Sequence, residues 1–422
     1  MASLKASEEG LRNVDRARKR KGWNKYDRAW SDLAATSVPT LKRFWRGIPI
    51  QAETFQAICD VVGVDDWEKI VEWGDNDDRE PGTSKPYQVD WDGAPDVSAF
   101  YGRNTELTHL KNWILDNESR LVAISGMGGI GKTALTIALA KSIQERFETI
   151  IYRSLKQFTS LTELLCDLLQ VCAGEDAPDE LASLEIGLAR LIRQLSNNRC
   201  LLILDDLEAI LRGGELIGSY RPDCQDYEFL FKRLADAPHK SCLVAIGREQ
   251  PKDLKVLQAR GFKVESLSLS GLDIETAKQI FQLSDGFAEA AQLQKLIELY
   301  QGNPLTLNFV WWKIQNLFAG NLSEFLSSAT LNFDDINQLL EEHFDRLSDL
   351  ERQIVCCLAS APEPLSLNEL REKIGASGMT DAIDSTIRRG IVKKTMGDPR
   401  YTLDRIVKMY VNQQAARAST RN

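Results

Sequence analysis

Between Leu121 and Leu135 the chain reads LVAISGMGGIGKTAL, and in it nine consecutive residues, Gly126, Met127, Gly128, Gly129, Ile130, Gly131, Lys132, Thr133 and Ala134, carry the parts of an anion cradle. Phosphate oxygens need several backbone N–H groups aimed at one point, and glycines give the chain the freedom to take positive φ and aim them. Lys132 directly after the last glycine reaches the β and γ phosphates of a nucleotide, and the Thr133 hydroxyl reaches its Mg²⁺. The apolar run before the loop reads as a strand. Leu135, Leu139, Ile143 and Phe147 recur every four residues after it, so the loop opens a helix whose positive end faces the phosphates.

A metal beside such a loop needs a carboxylate from the end of a second strand of the same sheet. CLLILDD, residues 200–206, has that form: five apolar residues followed by Asp205 and Asp206. Two acids after a strand are ordinarily a solvated strand end. Downstream of a phosphate loop they become a metal partner, Asp205, and an orienter of attacking water, Asp206, placed where open α/β sheets bind their ligands.

These two pieces require a parallel sheet covered by helices, and the chain alternates accordingly. Strand candidates start at 121, 149, 200, 241 and 264, with helical stretches between most of them. From Asp273 helices follow one another. Residues 334–413 read as three helices and two short strands, GIVKKTMG and PRYTLDRIV, the pattern of a winged helix. At the other end, residues 1–73 read as short helices separated by Gly, Pro and polar breaks. The expected organisation is a helical unit over 1–73, a linker rich in Asp, Pro and Gly over 74–98, an α/β nucleotide-binding domain over 99–272, a helical domain over 273–333 and a winged-helix domain over 334–422.

The 422 residues suffice for two to four domains, and 43% hydrophobic with 27% charged residues are globular values. The net charge of −9 conceals an asymmetry, since residues 1–50 carry +7 and the remainder −16. Eight cysteines without a CxxC pair and only three histidines, His109, His239 and His343, form no zinc constellation. The N-terminus lacks the apolar core of a signal peptide, and the longest apolar region, from Leu305, is short and contains Lys313. A cytoplasmic protein without a membrane contact is expected.

The motifs stand in an order that resembles the NB-ARC branch of the STAND nucleotide switches, the class of plant resistance proteins and apoptosome scaffolds, over roughly residues 96–412. FYGRNTEL resembles that family's hhGRxxE motif, which implies that Phe100, Tyr101, Gly102 and Arg103 lie near adenine and ribose. The resemblance makes Arg248, in LVAIGREQP, the arginine that reads the γ-phosphate, and Pro304, in GNPLTL, the proline on the nucleotide base. It implies ATP or ADP with Mg²⁺, slow hydrolysis, signalling or transcription control, and nucleotide-dependent homo-oligomers. Two departures stand out. In YTLDRIV, Asp404 occupies the position where the family's histidine contacts the ADP β-phosphate, and an acid there repels it. Family members usually carry sensor repeats after the winged helix, whereas this sequence ends at Asn422.

Residues 1–73 resemble the λ-repressor class of helix-turn-helix domains, with YDRAWSDLAA as second helix and PTLKRFWRG as reading helix. Arg12, the run Arg16, Arg18, Lys19, Arg20 and Lys21, and Lys42, Arg43 and Arg46 would then meet DNA phosphates. A protein partner accounts for the same charge, and Phe44 or Trp45 belongs to the core. Trp23, Trp30 and Trp45 suit a core better than a base-stacking platform. Two other readings remain: an AAA-type ATPase working on a client, against which Asp206 stands where that class has glutamate, and a transcription factor whose NTPase body only dimerises it.

Overall fold

The computed structural model describes residues 3–419 except 24, 26, 35, 37, 46–49, 65, 72–86, 98–99, 159, 174–180, 282–289, 329–339, 396 and 398. The chain divides into two units, Met1–Ser84 and Lys85–Asn422.

In the first unit a two-stranded antiparallel ribbon, β1 (Ser3–Leu4) and β2 (Ile50–Gln51), accompanies helices α1 (Glu8–Arg20), α2 (Arg28–Leu33), α3 (Val38–Trp45) and α4 (Ala52–Val61). Trp30, Leu41, Phe44, Phe55 and Ile58 form its core, and Trp23 and Trp45 pack partly buried around them. Trp30 stacks on Trp23 and meets Trp45 edge-on, so the three tryptophans are core, as their spacing suggests. The basic run is not uniformly solvated. Arg18 is buried, donating from Nε to Asp15 at 2.9 Å and from Nη1 to the Trp23 carbonyl at 2.7 Å. It is a structural residue, which corrects its expected place among phosphate contacts, while Arg12, Arg16, Lys19 and Arg20 are exposed. Arg46 and the side chains of Lys42 and Arg43 lie outside the described residues.

The second unit is built on six parallel strands: β3 (Gln88–Asp90), β4 (Leu121–Ser125), β5 (Thr149–Ser154), β6 (Cys200–Asp205), β7 (Cys242–Gly247) and β8 (Val264–Ser268), in the spatial order β3-β5-β6-β7-β4-β8. β4, β6 and β7 are buried at every position, which is why they read as continuous apolar runs. Alternate residues feed two cores. Val122, Ile124, Ile203 and Val244 meet α5 (Asn104–Lys111) and α6 (Lys132–Ile143) on one face. Ala123, Leu202, Leu204 and Leu243 meet α7 (Leu161–Ala173), α8 (Leu184–Asn197), α9 (Tyr227–Asp236) and α10 (Lys252–Ala259) on the other. The strand β3 lies inside the segment expected as linker. Its three residues pair with β5, and Arg153 of β5 binds Asp90 at 2.8 Å, so a stretch that is polar in composition ends as an edge strand.

Helices α11 (Ile274–Ile280), α12 (Ala290–Leu299), α13 (Pro304–Leu317) and α14 (Leu322–Ser327) follow. The carboxy-terminal part has helix Asp349–Ser360, β9 (Leu365–Ser366), helices Leu367–Ile374 and Met379–Arg388, β10 (Val392–Lys394), β11 (Arg400–Leu403) and a last helix Arg405–Ser419, and its three strands form one antiparallel sheet. The ribbon β10–β11 stands where two short strands are expected. The parts expected as separate helical and winged-helix domains share one apolar core, in which Leu296, Leu307 and Ile314 join Ile354, Leu358 and Val407. Among the described residues no helix is long and apolar enough to cross a membrane.

Candidate nucleotide site

The loop from Gly126 to Gly131 joins β4 to α6, and three of its glycines take positive φ: Gly126 at 153°, Gly129 at 74° and Gly131 at 96°. Gly128 does not, which corrects the expectation that all four supply that freedom. Its missing side chain serves close approach instead: a Cβ there would lie 3.4 Å from Cζ of Arg248.

Lys132 is 9% exposed and donates to the carbonyls of Gly126 at 2.9 Å and Met127 at 3.0 Å, drawing the loop around its ammonium. Burial pushes its pKa down to about 8, against the pull of Glu208 and Asp205. At the end of β6, Asp205 accepts from the Thr133 hydroxyl at 2.6 Å and from the Tyr152 hydroxyl at 3.0 Å. Burial raises its pKa, and these hydrogen bonds oppose the rise. Two hard oxygen donors in contact, a hydroxyl and a carboxylate, suit Mg²⁺. Asp206 holds φ at 61°, an uncommon conformation for a residue with a side chain, and is gripped by Ser154 and Lys156, each at 2.6 Å.

The strand order decides where Arg248 goes. Because β7 lies between β4 and β6, the residue just past its end emerges between the loop and the two aspartates. There Arg248 pairs with Glu208 at 3.3 Å and with Glu342.

The other expected contacts divide. Pro304 starts α13 beside the loop, 4.0 Å from where a Cβ on Gly131 would be. Asn303 caps that helix and donates to the Gly128 carbonyl at 2.9 Å. An Asn before a Pro at the first helical position is a readable cap, though nothing local points to the loop as its partner. Arg103 binds Glu106 at 2.8 Å, the Ser270 carbonyl at 2.6 Å and the Ile130 carbonyl at 3.3 Å, so it braces the phosphate loop from behind. Its guanidinium is committed to these protein contacts. Gly102 has φ 66° and no room for a Cβ beside Thr276; Phe100 is partly buried and Tyr101 exposed.

Sequence reasoning missed the partner of the loop. Nε2 of His343 accepts from the Gly128 N–H at 2.9 Å. The imidazole is buried among Arg248, Lys132, Arg389 and Arg346, and burial, with the charges of those groups, pushes its pKa down to about 3 from 6.5. Asp404, which stands where the resemblance puts a phosphate-contacting histidine, pairs with Lys393 across the ribbon at 2.6 Å.

The histidine gives a pH dependence with a definite sign. Its folded pKa lies below its unfolded value, so its contribution is complete above pH 6.5 and is lost as pH falls toward 3. Urea unfolding at pH 7.5 and 5.7 should show wild type losing about 1 kcal/mol more than His343→Asn between the two values. Equal losses would mean that the ring is not held neutral.

A model of the NB-ARC domain matches residues 103–216, which include the phosphate loop and both aspartates. The match identifies residues 103–216 as an NB-ARC domain. It is 35% identical over 454 residues to an uncharacterized WD repeat-containing protein of Nostoc sp., an alignment covering 98% of this chain and 36% of that protein. The chain thus spans about a third of that relative. Among solved structures, a Walker-type ATPase of Pyrococcus abyssi matches at TM-score 0.50 and 14% identity over 74% of this chain and 96% of its own, a likeness of fold. A STAND protein with a tetratricopeptide repeat sensor from Pyrococcus horikoshii aligns at TM-score 0.37 and 19% identity, over 77% of this chain and 44% of that one.

Proposed function

We propose that this NB-ARC chain is a STAND-class molecular switch that binds ATP or ADP with Mg²⁺, hydrolyses ATP slowly, and couples the γ-phosphate to the docking of its carboxy-terminal part. The observation that carries this reading is that donors a triphosphate needs are already engaged by a distant part of the chain: the Gly128 N–H by His343, and Arg248 by Glu342. A ligand competing for those donors changes docking, and docking changes affinity for the ligand by the same factor.

Thr133 and Asp205 would hold Mg²⁺, which when bound neutralises charge on the phosphate chain. Lys132 supplies the charge toward the β and γ phosphates. Asp206, oriented by Ser154 and Lys156, would position water at the γ-phosphate. Hydrolysis resets such a switch, so slow turnover suits it.

Mass analysis of nucleotide released from purified, denatured protein tests the ligand. Asp206→Ala tests the roles: it should still bind ATP and retain it for much longer than wild type, whereas Asp205→Ala should lose the Mg²⁺-dependent part of ATP binding. An Asp206→Ala protein that hydrolyses ATP at the wild-type rate removes Asp206 from the mechanism.

A further inference from the structure

We propose that Glu342 and His343, neighbours on the helical turn 340–344, occupy the place of the nucleotide's outermost phosphate and so set a preference for diphosphate over triphosphate. The inference rests on the switch reading above and adds to it the residues that discriminate.

Four residues from three parts of the chain meet at one point. The Arg248 guanidinium lies against Gly128, within 3.4 Å of where a Cβ would be. Its Nη2 pairs with Glu342, while the Gly128 N–H donates to His343. Both engaged groups are donors suited to phosphate oxygen, and both engaging groups are acceptors, a carboxylate and an imidazole lone pair. Glu208 fixes the guanidinium from the other side through Nε at 3.3 Å, and accepts from the Arg248 backbone N–H at 2.9 Å. Arg248 is therefore held in place whether or not Glu342 is present.

The N–H groups from Gly129 to Thr133, with Lys132, suffice for the inner phosphates, because they surround the start of α6. Gly128 lies earlier in the loop, on the side where β7 delivers Arg248. A diphosphate leaves Glu342 and His343 seated. A third phosphate placed there meets the Glu342 carboxylate across a few ångströms, and the two anions compete for one guanidinium. The turn 340–344 must leave for a triphosphate to bind fully, and its departure removes a contact that holds the carboxy-terminal part on the loop.

The test is calorimetry on the full chain with ADP and with a non-hydrolysable ATP analogue, each with Mg²⁺. Glu342 is 47% exposed, so Glu342→Gln removes the charge at the same volume without a folding penalty. It should bind the analogue about tenfold more tightly and ADP within twofold of wild type. In an Arg248→Ala background the same change should have a smaller effect, because the contested guanidinium is gone and only the direct repulsion between the two anions remains. His343→Asn, which keeps an acceptor, should shift the preference less than His343→Ala. Equal changes for the two nucleotides, or none, in a protein whose wild type binds both, overturn this assignment and leave the switch reading intact. A wild type that binds neither overturns both.

Discussion

Lys132→Ala should weaken ATP and ADP binding at least tenfold, since a charge-assisted contact to phosphate contributes roughly 1.5–3 kcal/mol. The lysine sits at the first position of α6 and already bridges two loop carbonyls, so its removal also loosens the ring that aims the N–H groups. A second arm comes from its pKa of about 8: wild-type affinity should decline as pH rises through 8, when the ammonium loses its proton, and the Ala variant should lack that decline. Titration calorimetry at pH 7 and pH 9 checks both. Affinities that Lys132→Ala leaves unchanged would remove the loop from nucleotide binding altogether.

What is legible in the sequence is local. The loop, the apolar run before it and the acid pair after a second run are each written in fewer than twenty consecutive residues, and the structure places them as β4, α6 and β6. Thr133 and Asp205, 72 residues apart, pair on chemistry alone and touch at 2.6 Å. Strand order is not legible, because insertion of β7 between β4 and β6 depends on which edges find each other. That order nevertheless aims Arg248.

His343 illustrates the opposite limit. It sits in LEEHFDR, a charged stretch with no motif, and its partner lies 215 residues away. Its burial follows only from docking of the carboxy-terminal part. The basic run of α1 fails for a smaller reason: Asp15 lies three residues before Arg18 and four before Lys19, and such spacing on a helix predicts internal pairing. That signal is present in the sequence.

The buried charges behind the site lead to the largest expected loss of stability. Arg389 is 2% exposed, and its guanidinium joins Glu249, next to Arg248, to Glu351 at 3.0 Å and to the Glu215 carbonyl at 2.8 Å. Glu249 also binds Arg346 at 2.6 Å. Glu351 accepts from Ser385 at 2.5 Å and caps its own helix through Ser348. A single guanidinium thus sits between two buried carboxylates, one from the nucleotide domain and one from the carboxy-terminal part. Arg389→Ala leaves both carboxylates short of a partner inside the protein, which costs about 3–5 kcal/mol, whereas replacing a whole buried network with apolar groups can be neutral. Since Arg346 still neutralises Glu249, the heavier burden falls on Glu351, which keeps only hydrogen bonds. Arg389→Ala with Glu351→Gln should therefore recover more stability than Arg389→Ala with Glu249→Gln, by a coupling of about 0.5–3 kcal/mol in urea unfolding. Equal recovery by the two would mean that the guanidinium serves both acids alike. A single variant as stable as wild type would mean that the carboxy-terminal part is not held on the nucleotide domain through this network.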